Sequence, residues 1–71
     1  MNQINPKKLL HSKWTKQSVT NKEKHFMVTD VTYDETQKVE SCVIMAVKTK
    51  NEYAIEWRTL KDSQHWKLGW K

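Results

Sequence analysis

The middle of the chain has an apolar position at every second residue, the period of a β-strand. This pattern runs over residues 25–58 and is interrupted by two polar stretches. In the first strand Phe26 and Val28 alternate in one phase, and Val31 and Tyr33 alternate in the other. Such a phase change predicts a β-bulge between the two pairs. The pattern therefore predicts a three-stranded antiparallel meander, with a bulge in its first strand.

The second predicted strand, residues 39–49, is the most apolar part of the chain. One face carries Val39, Val43, Met45 and Val47, and the other carries Cys42, Ile44 and Ala46. A strand that is apolar on both faces is typical of a position buried on both sides, so we expect it to be central in the sheet. Polar turns at residues 34–37 and at Lys50-Asn51 separate it from its neighbours, and Asn51 suits a left-handed conformation.

A short helix is predicted near the N-terminus. Asn5 suits the capping position and Pro6 the first helical position, where its missing N–H has no consequence. We expect one to three helical turns from Pro6 to about Ser12. The polar residues 15–24 then predict a connector.

The C-terminal segment also predicts a short helix. Asp62 or Ser63 can cap it, and the helix would run through Leu68. Gly69 follows at the place where a left-handed residue ends many helices.

These elements predict one domain over residues 1–71, of the α+β class and mainly β. It comprises a basic N-terminal helix and connector (1–24), the meander (25–58) and a C-terminal helical segment (59–71). Three strands, or four, cannot cover both faces of the apolar central strand, so both ends must pack over it. The apolar residues that these ends offer are Leu9, Leu10, Trp14, Leu60, Trp66 and Trp70. A sheet capped by helices, a small bent barrel and a dimer would each satisfy this requirement.

Several short strings are distributed along nearly the whole chain. They are Asn5-Pro6-Lys7-Lys8-Leu9-Leu10, Ser12-Lys13-Trp14-Thr15, Asn21-Lys22-Glu23-Lys24-His25-Phe26, Trp57-Arg58 with Leu60-Lys61-Asp62, and the closing Trp66 and Gly69-Trp70. In combination they resemble a family of small tryptophan-rich bacterial proteins known from cyanobacteria and proteobacteria. The resemblance implies a one-domain bacterial protein, and it brings no activity, cofactor or catalytic residue with it.

The length and the cysteine content indicate a cytoplasmic, soluble protein. The chain has 71 residues and a single cysteine, Cys42, which lies in an apolar run and fits a reducing compartment. We find no apolar stretch of about 20 residues that could span a bilayer, and no secretory signal, so we expect no membrane association.

The positive charge is confined to the N-terminal third. Residues 1–25 hold six lysines and one acid, Glu23, which accounts for the whole formal net charge of +5. An anionic partner should therefore bind there. Because twelve of the thirteen basic residues are lysine, nucleic-acid contact would be sequence-tolerant and would use Lys7, Lys8, Lys13 and Lys16. An ordinary solvated surface explains the same lysines.

Four tryptophans are many for so short a chain. Trp57 alternates with Tyr53 and Ile55, which favours a core position. Trp14, Trp66 and Trp70 lie in the terminal segments, where a ring is either core or half-covered and free to contact a partner.

The sequence argues against catalysis and metal binding. We find no glycine-rich loop, nucleophile elbow or paired carboxylates, and a chain this short has little interior for a desolvated pocket. The histidines and Cys42 do not pair at metal-ligand spacing, so no metal or cofactor is expected.

Two hypotheses for function remain. The first is a non-catalytic interaction module, a monomer or weak homodimer, that binds a protein partner through its terminal aromatic residues. The second is binding of single-stranded nucleic acid, such as RNA, through the N-terminal lysines and exposed tryptophans. The predicted interaction surface is the same in both: Lys7, Lys8, Lys13, Trp14, Lys16, Trp66 and Trp70.

Overall fold

A computed structural model of the chain describes residues 2–20 and 22–71. In these residues it contains five strands: β1 (Lys13–Thr20), β2 (Glu23–Tyr33), β3 (Val39–Ala46), β4 (Glu52–Ile55) and β5 (Trp66–Leu68). Two short 3₁₀ helices, Pro6–Lys8 and Trp57–Lys61, complete the regular structure.

The five strands form one open antiparallel sheet in the order β4-β3-β2-β1-β5. Strands β1 to β4 follow one another as a meander, and β5 returns to pair with the free edge of β1. The prediction of a mainly β fold with an antiparallel meander is therefore confirmed. The predicted number of three or four strands is too low, and the sheet does not close into a barrel. Of the two predicted terminal helices, the N-terminal one is a single 3₁₀ turn, and the C-terminal one is replaced by a turn and β5.

The predicted connector over residues 15–24 is replaced by strands. Thr20 pairs with Glu23, and Lys22 has a left-handed φ of 61° beside this pair. Hydrogen bonding explains the difference, because β1 pairs with β2 on one edge and with β5 on the other and so stays extended without an apolar alternation. Asn21, which belongs to the predicted connector, lies outside the described residues.

The predicted N-terminal helix is a single 3₁₀ turn. Its cap is as predicted, since Asn5 Oδ1 accepts a hydrogen bond from the Lys7 N–H at 3.0 Å. The turn ends early because His11 has a left-handed φ of 67°. Ser12 O then accepts a hydrogen bond from Val28 N at 2.9 Å, so the chain joins β2 as an extended segment.

The predicted helix over residues 62–68 is a turn followed by β5. Asp62 Oδ1 accepts a hydrogen bond from Gln64 N at 2.9 Å, and Asp62 O accepts one from Trp66 N at 2.9 Å. Strand pairing with β1 then replaces further helical turns. Gly69 does adopt a positive φ of 85°, but it follows a strand rather than a helix.

The bulge in β2 is confirmed, because the register with β3 shifts between Val28 and Asp30. The turn between β3 and β4 differs from the prediction in one detail. The left-handed residue is Lys50, with φ of 67°, and not Asn51.

The sheet has an inner face that carries the core and an outer face that is half-covered. Residues 2–12 and the second 3₁₀ helix cover part of the inner face. The buried hydrophobic residues are Leu9, Trp14, Phe26, Val28, Cys42, Ile44, Ala46, Trp57, Leu60 and Trp66. The central strand of the prediction, β3, is thus buried on one face only, since Val43 and Met45 on the outer face are half-buried.

In the described part of the chain, no helix has the length and apolar character needed to cross a membrane.

Candidate interaction surface and inner groove

The structure divides the predicted interaction surface among separate places. Lys7 and Lys8 lie exposed on the first 3₁₀ helix. Lys13 lies on the outer face, opposite Met27 of β2. Lys16 lies on the inner face, opposite Trp66 of β5. The N-terminal lysines therefore do not form one continuous patch.

Three of the four tryptophans belong to the core. Trp57 is 9% exposed, which confirms its predicted core position. Trp14 is 1% exposed and Trp66 is 8% exposed. The indole N–H of Trp14 donates to Ser12 Oγ at 2.8 Å, and the Trp66 ring packs edge-on against Phe26 with 5.3 Å between centroids. Neither ring protrudes from the protein, so Trp14 and Trp66 cannot anchor a protein partner or stack on bases, and the small exposed part of Trp66 lines a groove on the inner face.

Trp70 differs from these three because it lies on the outer face and is 44% exposed. Its indole N–H donates to Phe26 O at 2.9 Å, which fixes the ring against β2. The Lys13 ammonium lies over the ring, 4.8 Å from its centroid, and the His25 ring lies 6.1 Å away. Trp70 and Lys13 are thus predicted surface residues that the fold brings into contact on the outer face, as it brings Lys16 and Trp66 together on the inner face.

The C-terminal tail that carries Trp70 is held to β1 by one side chain. Thr15 Oγ1 donates to Gly69 O at 2.7 Å and accepts from Lys71 N at 2.9 Å. Gly69 is needed at this corner because its positive φ turns the chain from β5 onto the outer face. The exposed indole is therefore attached to a fixed segment.

Half-buried apolar side chains continue the outer face beyond Trp70. Cross-strand partners share a face of a sheet, and Met27 is paired with Lys13 on one side and with Met45 on the other. We call Lys13, His25, Met27, Met45 and Trp70 the outer patch. Sequence reasoning missed the two methionines and His25, although the apolar outer face of β3 was the signal that pointed to them.

A groove opens on the opposite, inner face of the sheet. It has a volume of about 360 Å³ and is lined by Lys16, Glu23, Phe26, Ile44, Tyr53, Ala54, Ile55 and Trp66. Phe26 is the middle ring of three, since Tyr53 lies 6.4 Å from it on one side and Trp66 lies 5.3 Å on the other. No local pattern in the sequence indicates this groove, because its residues come from all five strands.

Glu23 is the buried carboxylate of the groove, with 3% of its surface exposed. Its Oε2 accepts hydrogen bonds from Thr49 Oγ1 and, at 3.1 Å, from Asn51 Nδ2. Its Oε1 accepts one from the Tyr53 hydroxyl at 2.7 Å. These bonds, led by that from Thr49 and aided by the charge of Lys16, hold the pKa of Glu23 below its ordinary value. The hydrogen bond to Glu23 raises the pKa of Tyr53.

A hydrogen-bonded pair of side chains, Asp62 and His65, lies beyond Lys16 and Trp66. The His65 ring nitrogen Nδ1 lies 2.6 Å from Asp62 Oδ2, and this contact lowers the pKa of Asp62. Both side chains are largely exposed. Among the described residues, no group of three or more histidine, cysteine, aspartate and glutamate side chains is arranged to hold a metal ion.

Comparison with known proteins places the chain in a family. No curated protein and no solved structure matches it. Residues 12–71 match a family of tryptophan-rich proteins, DUF2389. This region includes all five strands, the outer patch and the inner groove, so the chain belongs to the tryptophan-rich protein family DUF2389.

Proposed function

We propose that the protein is a non-catalytic interaction module that binds a protein partner through the outer patch. The proposal rests mainly on Trp70, which is half-exposed and yet fixed by its indole hydrogen bond to β2. A rigid aromatic ring at a surface loses little conformational entropy on binding, and such rings dominate many protein interfaces.

The neighbours of Trp70 support a partner with apolar and acidic groups. Met27 and Met45 extend the apolar surface, and methionine side chains adapt their shape to different partners. Lys13 contacts the ring, and Lys67 lies on the same face because it pairs with Thr15. A segment that offers an apolar side chain next to a carboxylate would match this arrangement.

The second hypothesis, binding of single-stranded nucleic acid, has less support. Such proteins stack successive bases on several rings beside a basic groove, whereas three of the four tryptophans here are buried. The Lys13 ammonium also lies over one face of the Trp70 ring. A base could stack on that face only after Lys13 moves. A lysine beside an exposed indole is nevertheless a pair that can bind a phosphate and a base, so nucleic acid is the alternative to test.

The experiment compares the wild type with Trp70→Ala and Lys13→Glu as bait in lysate of the source cells. Leu10→Ala and Lys48→Glu are the matched controls, since both remove an exposed side chain of the same kind outside the outer patch. A captured protein is then purified, and its affinity for each variant is measured by calorimetry. We expect both patch variants to weaken binding about tenfold or more, and the controls to leave it unchanged.

A fluorescence titration with a random single-stranded oligonucleotide, at low and moderate salt, tests the alternative. Quenching of tryptophan emission with a steep salt dependence would favour nucleic acid over protein. Thermal melts of Trp70→Ala show whether the fold is retained. Unchanged partner binding by a folded Trp70→Ala protein would contradict the proposal.

A further inference from the structure

The inner groove is a second surface that the outer patch does not explain. It lies on the opposite face of the sheet from Trp70, between β4 on one side and β5 on the other. Its volume of about 360 Å³ falls at the small end of the range for small-molecule sites, about 300–1,000 Å³. Its floor is apolar, because Phe26, Ile44 and Trp66 are buried core residues that also line the groove.

The polar groups of the groove have opposite charges. Glu23 is an ionised carboxylate whose three hydrogen-bond donors carry no formal charge. A buried carboxylate of this kind favours a cation nearby. Lys16 lies on the same groove, and its attraction is the weakest of the influences on the Glu23 pKa. The groove thus has a negative group and a positive group beside an apolar floor.

Tyr53 lies between the buried Glu23 carboxylate and the accessible part of the groove. Its hydroxyl proton is directed to Glu23 Oε1 at 2.7 Å and its oxygen also interacts with the Asn51 side chain, so one lone pair is left to accept a further hydrogen bond. Tyr53 is 38% exposed, whereas Glu23 is 3% exposed. A ligand ammonium can therefore donate to Tyr53 Oη while the carboxylate behind it supplies the charge. This arrangement strengthens the hydroxyl as an acceptor.

Lys16 suits a carboxylate on the same ligand. An ammonium has three N–H donors, so Lys16 can bind a carboxylate in addition to its existing interaction. Lys16 lies on β1 and Tyr53 on β4, but both act on Glu23, Tyr53 through its hydrogen bond and Lys16 through its charge, so the two charged groups of one α-amino acid can reach them together. A cation alone would leave Lys16 without a new partner and would repel it, and an anion alone would repel Glu23.

We propose that the inner groove binds a free apolar α-amino acid. The ammonium donates to Tyr53 and faces Glu23, the carboxylate pairs with Lys16, and the side chain lies on Phe26, Ile44 and Trp66. A zwitterion matches both charges of the groove, and an apolar side chain matches its floor.

Calorimetry with four ligands tests the proposal on the full chain. L-Phenylalanine carries all three features, 2-phenylethylamine lacks the carboxylate, 3-phenylpropionate lacks the ammonium, and glycine lacks the apolar side chain. We expect saturable binding of phenylalanine, and binding about tenfold or more weaker for each of the others, since each loses a charged hydrogen bond or the apolar contact. Absence of saturation by phenylalanine up to about 10 mM would overturn the proposal. Equal binding of phenylethylamine would also overturn it.

The matched variants are Tyr53→Phe and Tyr33→Phe. Each removes one tyrosine hydroxyl and keeps the ring, and the Tyr33 hydroxyl donates to Pro6 O, away from the groove. We expect Tyr53→Phe to weaken phenylalanine binding about tenfold and Tyr33→Phe to leave it unchanged. Lys16→Met, with Lys48→Met as its control, tests the carboxylate contact in the same way. Unchanged affinity in a folded Tyr53→Phe protein would refute the assignment.

A measurement on the unmodified protein keeps the test valid if a variant fails to fold. In a heteronuclear NMR titration, phenylalanine should shift the indole N–H signal of Trp66 and leave that of Trp70 in place. Shifts confined to Trp70 would move the ligand to the outer patch and overturn the proposal for the groove.

Discussion

At the scale of single residues, Glu23 hydrogen-bonds to three residues that are distant in the sequence, although no pattern near it in the sequence predicts these contacts. It joins the start of β2 to the turn between β3 and β4 through partners 26 to 30 positions away in the chain. In the sequence it is only the single acid among the N-terminal lysines. Its role depends on the strand pairing that brings Thr49, Asn51 and Tyr53 to it, and no local pattern encodes that pairing.

The stability of the protein should fall in acid partly because of Glu23. Its pKa in the folded state lies below the ordinary value of 4.5, so ionised Glu23 stabilises the fold above that pH. This contribution is lost as the pH falls through the lowered pKa. We expect denaturant titrations at several pH values below 4.5 to give a smaller pH dependence of unfolding for Glu23→Gln than for the wild type. The pH dependence that remains in Glu23→Gln comes from Asp34 and Asp62, whose pKa values are also lowered in the folded protein.

Glu40→Gln is the control for this comparison, because Glu40 is an exposed carboxyl on β3. The same change in acid dependence for Glu40→Gln would assign the effect to net charge rather than to the bonds of Glu23.

Cys42 should be unreactive in the folded protein. It is 1% exposed, and burial, aided by the charges of Glu56 and Asp30, raises the pKa of its thiol to about 11. Because the thiolate is the reactive form, we expect a thiol reagent at pH 8 to label the protein only as fast as it unfolds. Rapid labelling of the native protein, at a rate unaffected by mild denaturant, would contradict this burial.

The burial of a tryptophan can be predicted from apolar periodicity only where the residues around it alternate. The alternation of Trp57 with Tyr53 and Ile55 predicted a buried ring, and the ring is buried. It lies in the second 3₁₀ helix and not in the strand that the alternation implied, because β4 ends at Ile55. Trp14, Trp66 and Trp70 have no such pattern around them. Their burial depends on which face of β1, of β5 or of the tail each ring occupies, and β1 and β5 are held as strands by pairing with β2 and with each other.

At the scale of elements, the sequence predicted those strands whose own side chains alternate. Strands β2, β3 and β4 and the bulge in β2 follow from apolar periodicity and its phase change. The strands that were missed, β1 and β5, pair with each other from opposite ends of the chain. Capping residues predicted where the terminal segments begin to turn, and tertiary hydrogen bonds decided that they do not continue as helices.

Leu9 is the fully buried side chain of residues 2–12, which allows a direct comparison with its neighbour. Leu9 is fully buried, whereas its neighbour Leu10 is 44% exposed. We expect Leu9→Ala to reduce the free energy of unfolding by about 2–5 kcal/mol, since it leaves a cavity in the core. We expect Leu10→Ala to change it by less than about 0.5 kcal/mol. Chemical denaturation of both variants checks this difference, and equal effects would show that the segment does not pack as described.

At the scale of the whole molecule, one core joins residues from every part of the chain. Leu9 from the N-terminal segment, Leu60 from the second 3₁₀ helix and Trp66 from β5 belong to the same buried cluster. The outer patch and the inner groove lie on opposite faces of the sheet around it. Variants of Trp70 and of Tyr53 should therefore separate the two proposed binding functions.

Unfolding should be cooperative because of this shared core. In a Trp70→Phe variant, the remaining indoles Trp14, Trp57 and Trp66 report on the core alone. We expect their fluorescence and the far-ultraviolet circular dichroism to give one coincident thermal transition. Two separate transitions would mean that an end of the chain melts independently of the sheet.

The pairing of β5 with β1 also predicts the order in which the strands assemble during folding. Thr15 and Gly69 are 54 positions apart, whereas β2, β3 and β4 are joined by short turns. Closing a long loop costs more chain entropy than forming a hairpin and is recovered only when the distant contacts form. The hairpins should therefore assemble early, and the docking of β5 with its tail should be a late step. Refolding intermediates would then lack the Trp70 surface, so partner binding would begin only in molecules that have completed the sheet.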